Sequence, residues 1–434
     1  QYKLVIYLEN NVSKWDELLK SLKIDSDENT HQILSKLELW YLQHISKQPL
    51  FDSATAADKK LILLKQEISH FLETVHEISG DKCSEFYNHL GGMNPIQYAS
   101  KKGYDIYLSE NLESNKEIIN VATNGQLTPL HLAAYYGHHL TSKLLLEHGA
   151  KSNLPSRLKQ TPAHLALSLP PSVPVKDKLN LMERKQVIFH DLLAHNPKNI
   201  FSTDISDNTL AHTAAENGFA LVLEYLLRNQ PRLLRVKNSS AHTPLHSAVL
   251  SNQNDSVKVL IRDKDLLLIP DKNGRLPIHY AAIHSKASIL ADIVCESCLD
   301  STDLTLRTPL MFAAEQGRID NVKLLIAKGA NVKARDQYGK GILDYALTSL
   351  NFELVKWLVS NVEEIDVNQQ DENGRTSLMN LLHETVSNGT NIHIIQQLVS
   401  YLLETGTKPD QVDKYGQSLQ DYLEFLESAP KTVL

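Results

Sequence analysis

The sequence predicts an all-α solenoid of about ten helix-pair repeats with short turn or β-hairpin fingers, preceded by a small helical domain. Three observations predict it. A heptad built on Thr-Pro-Leu-His recurs through most of the chain, its copies keep a nearly constant spacing, and the clearest copies are followed by an apolar run ending at a helix-stop glycine.

From the front, residues 1–85 carry no copy of the heptad. Leu34, Leu37, Trp40, Tyr41 and Ile45 fall at helical spacing, as do Leu61, Leu64, Ile68, Phe71, Leu72 and Val75, so helices are expected in both runs. Pro49 separates the two, and Ser53 to Asp58 offers capping residues to the second. The economical role for this module is to cover the apolar face that the first repeat would otherwise expose.

The repeats occupy residues 86–426. The seed is Thr128-Pro129-Leu130-His131-Leu132-Ala133-Ala134; related heptads begin at Thr161, Thr209, Thr243, Leu276 and Thr308, and weaker copies at Asn94, Gly341, Thr376 and Ser418. Seven of the nine start-to-start spacings lie between 32 and 35 residues, a regularity that chance placement of Thr-Pro pairs does not produce. The Thr hydroxyl suits a helix N-cap, and Pro fits the first helical position because the N–H it lacks has no partner there anyway. The Ala pair is small enough to let neighbouring helices approach. A second helix follows, as in Leu144, Leu145 and Leu146 before Gly149, and Val322, Leu324, Leu325 and Ile326 before Gly329. Asp-x-x-Gly turn signals close units at 271–274, 336–339, 371–374 and 413–416.

This pattern resembles the ankyrin-repeat family, whose unit is a turn, a helix opened by Thr-Pro-Leu-His-x-Ala and a second Leu-rich helix over about 33 residues. The resemblance implies that the repeated His bonds to the Thr at its helix start and to neighbouring backbone. Gln97, Met311, Asp344 and Met379 replace that His, and repeats after 350 are degenerate. A segment of about 15 extra residues, 168–183, separates the two helices of the repeat at Thr161, and Pro170, Pro171 and Pro174 predict an exposed loop there. Residues 427–434 form a C-terminal tail.

Composition narrows the function. A net charge of -7 over 434 residues lacks the basic excess of a generic nucleic-acid binder. No run approaches the about 20 apolar residues of a membrane span, and the front lacks a cleavable secretory signal. Three cysteines in 434 residues fit a reducing, cytoplasmic setting. The chain does not begin with Met, which leaves room for a longer natural chain.

The search for chemistry finds no catalytic, metal or cofactor constellation. His131, His164, His212, His246 and His279 share one repeat slot, which a structural role explains together. Cys295-Glu296-Ser297-Cys298, read as lying in a second helix, has no partner pair at zinc-ligand spacing. Cys83 has no nucleophile motif around it.

The expected function is therefore a protein-binding scaffold or adaptor, acting as a monomer without a cofactor and not an enzyme. The resemblance implies binding through turn tips and the exposed side of first helices, across residues 94–349. Residues just after the Ala pair carry that surface: Tyr135, Tyr136, Glu216, Asn217, Ile283, His284, Glu315 and Gln316. Basic residues cluster in three turn regions, Lys151, Arg157 and Lys159, then Arg232, Arg235 and Lys237, then Lys333, Arg335 and Lys340. Arg235, Lys237 and Arg335 are expected to steer an acidic partner surface. Two rival readings share the binding fold: a bacterial effector that diverts a host protein, to which the acidic, apolar-ended stretch after Asp421 bears a faint likeness, and a non-catalytic part of a longer enzyme.

Overall fold

The computed structural model describes residues 93–171, 173–284, 287–388 and 392–428. The helical domain expected over 1–85 and residues 429–434 of the tail lie outside the described residues. Among the described residues the regular elements are helices. The fingers between repeats are tight turns, with isolated antiparallel bridges such as Thr203–Thr209, Gln370–Thr376 and Val412–Ser418. The chain forms two compact units, residues 1–202 and 203–434.

In the first unit the helices are α1 (Pro95–Lys102), α2 (Asp105–Asn111), α3 (Pro129–Tyr136), α4 (His139–Glu147), α5 (Pro162–Ala166) and α6 (Val175–His195). The first helices α1, α3 and α5 stack on one another, and α2, α4 and α6 stack behind them. Helix α3 shows why the heptad folds. Thr128 stands extended as N-cap, its hydroxyl accepts from the His131 N–H, Pro129 opens the helix, and Gly137 closes it in the left-handed region. Leu130, Leu145, Ile188 and Phe189 are fully buried between the layers, each contributing roughly 1.5–3 kcal/mol.

The insertion differs from expectation. Only residues up to Pro174 form a loop; from Val175 the chain is helical, so the extra residues lengthen the second helix to 21 residues. The prolines end at 174, and Pro is tolerated at the edge of a helix start. Leu181, Lys185, Ile188, Phe189 and Leu192 then fall on one buried face. Leu181 packs over Gly137, where a Cβ would come within 2.5 Å of its Cδ1.

The second unit continues the pattern with α7 (Leu210–Asn217), α8 (Ala220–Asn229), α9 (Pro244–Leu250), α10 (Asn254–Leu260), α11 (Pro277–Ile283), α12 (Ala287–Ile293), α13 (Glu296–Leu299), α14 (Pro309–Glu315), α15 (Ile319–Ala327), α16 (Ile342–Thr348), α17 (Phe352–Asn361), α18 (Ser377–Asn388), α19 (Ile392–Glu404) and α20 (Leu419–Ser428). Successive fingers are joined by backbone bonds: Leu304 N to Asn273 O at 2.9 Å, Gln337 N to Thr305 O at 3.0 Å, Glu372 N to Tyr338 O at 3.0 Å and Lys414 N to Asn373 O at 2.9 Å. The Cys295–Cys298 pair does not lie within a second helix. It brackets the turn after α12, with Cys295 capping the short α13, and the two sulfurs are disulfide-bonded.

Candidate functional site

Three of the repeated histidines fasten their first helix to the next finger. In His131, His212 and His246 the ring Nδ1 accepts from the Thr N–H three residues back, at 3.1, 3.2 and 3.2 Å. Nε2 faces the carbonyl just before the next heptad: Gln160 at 3.0 Å, His242 at 2.9 Å and Arg275 at 3.1 Å. That arrangement needs a neutral ring with its proton on Nε2, and burial holds all three rings at a pKa of about 4. Departures from His keep the cap by other means. Gln97 accepts from Asn94 N and donates to Val121 O, at 2.8 and 2.7 Å. Asp344 accepts from Gly341 N at 2.9 Å and from Asn380 Nδ2 at 3.0 Å.

Beside this column, in residues 203–434, runs a second one. Each finger from 271 onward opens with an Asp whose Oδ1 accepts the backbone N–H groups two and four residues on, as Asp271 does from Asn273 and Arg275 at 2.8 and 2.9 Å. Oδ2 is taken by the residue nine positions on, from a half-buried to buried slot of the first helix. Tyr280 donates to Asp271 at 2.5 Å, Tyr345 to Asp336 at 2.7 Å, Asn380 to Asp371 at 3.1 Å and Tyr422 to Asp413 at 2.8 Å. Burial alone would raise the pKa of Asp271, but the Tyr280 hydroxyl and the two N–H groups hold it below its usual value. Burial and the same bond push Tyr280 up to about 12.

Phe312 cannot donate, and the pattern adapts around it. The Nε atoms of Arg275 and Arg307 each lie 3.5 Å from Asp303, and both guanidinium groups sit on the Phe312 ring, 4.8 and 4.1 Å from its centroid. Arg307 also approaches the Tyr345 ring at 5.8 Å. Further along, Lys340 reaches Glu384 at 2.9 Å, and Arg375 reaches Asp413 at 3.4 Å beside the Tyr422 ring. Cations and aromatic rings thus alternate along one face. Among the described residues, no group of three or more His, Cys, Asp or Glu is placed to hold a metal ion.

The expected site residues fall in several places. Tyr135 and Tyr136 meet edge to face at 5.1 Å, with Lys185 5.4 Å from the Tyr135 ring, so the long helix α6 half covers them. Glu216 and Gln316 are exposed; Asn217 is half-buried and donates to Thr213 O at 3.0 Å. The carbonyls of Ile283 and His284 accept from Arg318 and Asn321 at 2.8 and 2.7 Å. Glu315 lies 3.4 Å from Arg307 and joins the cation–aromatic face. Two of the three steering cations are bonded within the chain. Arg235 makes a two-pronged bond to Asp263 and a further one to Asp265, and Lys237 donates to Pro270 O at 2.6 Å. Arg335 lies half-buried against Gly341, where a Cβ would come within 2.1 Å of its Nη1.

Sequence reasoning missed Arg275, Arg307 and Arg375. Their signal was readable, since with Lys340 they hold the position directly before four successive heptads.

Comparison with known proteins agrees with the architecture. Residues 126–157 match the ankyrin-repeat model, and residues 182–268 and 265–336 match the model of ankyrin repeats in three copies. A Caenorhabditis elegans homolog of transient receptor potential cation channel subfamily A member 1 is 27% identical over 177 residues, 40% of this chain and 14% of the relative. Human Inversin is 27% identical over 201 residues, 44% of this chain and 18% of Inversin. The chain therefore matches less than a fifth of the length of either relative. The crystal structure of the ankyrin repeat domain of Bcl-3 is similar at a TM-score of 0.42 and 22% identity, over 51% of this chain and 99% of that one.

Proposed function

From the ankyrin repeats that this chain carries, we propose a scaffold or adaptor that holds a partner protein on the exposed side of its first helices and on its finger tips, without catalysing a reaction. The observation supporting this reading is the alternation of cations and rings over consecutive repeats, with the cations keeping part of their side chains exposed. Partly exposed guanidinium groups held on aromatic rings are good anchors, since their geometry is fixed before a partner arrives. No helix among the described residues is long and apolar enough to cross a membrane.

The test is affinity capture from cell lysate on the 1–434 chain, with a Tyr135→Ala/Tyr136→Ala/His284→Ala variant and an Arg307→Ala variant alongside. A protein retained by the wild type and lost by a folded variant supports the reading. A partner indifferent to both variants moves the site off this face.

A further inference from the structure

We propose that the face carrying Arg275, Arg307, Lys340 and Arg375 receives an extended acidic peptide of a partner protein, with carboxylates at every third residue. The proposal rests on the binding reading above and specifies its ligand.

Charge on this face has a direction. The finger carboxylates are turned inward, the Asp271 and Asp413 side chains being 0% exposed and Asp303 2%. The cations in front of them keep part of their surface, 26% of the Arg275 side chain and 25% of Lys340. The ion pairs of Arg275 and Arg375 run through Nε, and the same guanidinium groups also bond to the Tyr280 and Tyr422 hydroxyls, so an incoming carboxylate meets the exposed part of an edge already held in place. Arg307 holds Glu315 only at 3.4 Å, and Lys340 holds a Glu384 that is 44% exposed. An incoming carboxylate can replace either.

The pitch of the stack suits an extended ligand. The four cations occupy the same position of consecutive repeats, and packed helices lie about 8–10 Å apart. A polyproline II segment rises about 3.1 Å per residue with three residues per turn, so every third side chain returns to one face after about 9 Å. That matches the stack. A helical ligand returns a side chain to one face about every 5.4 Å, so only alternate turns, about 10.8 Å apart, would meet the cations, and that step overshoots a stack of about 8–10 Å.

The same face suits a peptide better than a nucleic acid. Phosphates are closely and continuously charged, whereas this face interleaves each cation with a carboxylate and a ring: Asp303 and Phe312 beside Arg307, Asp413 and Tyr422 beside Arg375. A ligand with neutral residues between its charges fits that alternation. Those neutral residues would lie on Tyr345, the Phe312 ring being covered by the Arg275 and Arg307 guanidinium groups.

The experiment uses the 1–434 chain and fluorescence anisotropy with labelled (Glu-Pro-Ala)5, against a peptide of the same composition with its glutamates clustered. The in-register peptide is expected to bind at least tenfold tighter, to weaken as salt rises, and to lose at least tenfold in Arg275→Gln/Lys340→Gln. That variant leaves the buried Asp303 its Arg307, and its circular dichroism melt is compared with the wild type's before binding is read. Equal binding of the two peptides to the wild type overturns the proposal and needs no variant. So does unchanged affinity in the double variant, or displacement by a thymidine oligonucleotide at equal charge concentration. If the peptides fail while capture remains sensitive to Arg307→Ala, only this inference falls. If capture is also insensitive to its variants, the binding reading falls with it.

Discussion

Replacing Lys185 with Met should stabilise the protein at neutral pH and destabilise it at high pH. Lys185 is fully buried, and its ammonium donates to Ala134 O at 3.0 Å and Leu165 O at 2.8 Å. Both carbonyls end first helices, where the helix dipole favours a cation, and the Tyr135 ring adds a cation–π contact. Burial still dominates and lowers the pKa from 10.5 to about 7. The folded state therefore gives up a proton that the unfolded chain keeps, so stability is lowest at and below pH 7 and rises as pH climbs towards 10.5. At pH 7 the penalty is about 4 kcal/mol, taking about 1.4 kcal/mol per pKa unit.

Methionine fills the space without a charge and removes that penalty. It also removes one hydrogen bond from each carbonyl. Each keeps a backbone donor, Gly137 N to Ala134 O at 3.3 Å and Ser168 N to Leu165 O at 3.2 Å, so the loss is about 1 kcal/mol apiece. The variant should gain about 2 kcal/mol at pH 7 and lose about 1–2 kcal/mol near pH 10.5. Urea midpoints by circular dichroism from pH 6 to 10.5 would show the two curves crossing. Parallel curves would refute the account of Lys185 as a buried cation opposed mainly by desolvation.

Acid should act through the histidine column. With folded pKa values of about 4 against 6.5, His131, His212 and His246 each release stability as pH falls from 6.5 through 4, about 3 kcal/mol apiece. His246→Gln, which follows the arrangement of Gln97, should flatten that loss by one histidine's share in acid-titrated urea midpoints. Gly339→Ala should cost roughly 2–4 kcal/mol, because φ is +78° and the new Cβ would lie 2.8 Å from Glu372 N. Gly149→Ala, at φ +93° with nothing within 4 Å, should cost about 1–2 kcal/mol; equal midpoint shifts for the two would contradict the close approach of neighbouring fingers.

Repeats were legible because their signals are local. Thr128, Pro129 and Gly137 each perform a capping task that depends only on residues a few positions away. The insertion was misread because Pro170, Pro171 and Pro174 drew attention from the spacing of Leu181, Lys185, Ile188 and Leu192, which is helical. Lys185 itself gave no warning, since a lysine in that register looks like a solvated residue until two carbonyls and a ring enclose it. The basic turns were visible as composition, but composition does not say that Arg235 and Lys237 bond to the following repeat. The cation–aromatic face needed an alignment of the repeats on the position before the heptad rather than after it.

The exchange around Phe312 means that these repeats are not interchangeable parts. Where the first-helix slot holds tyrosine, a repeat quiets its own finger carboxylate; where it holds phenylalanine, the repeat depends on an arginine contributed by the unit before it. Shuffling, duplicating or deleting a unit therefore carries a grammar. The Phe312 repeat reads correctly only after an arginine-bearing predecessor, and moving it elsewhere would leave Asp303 with Arg307 alone.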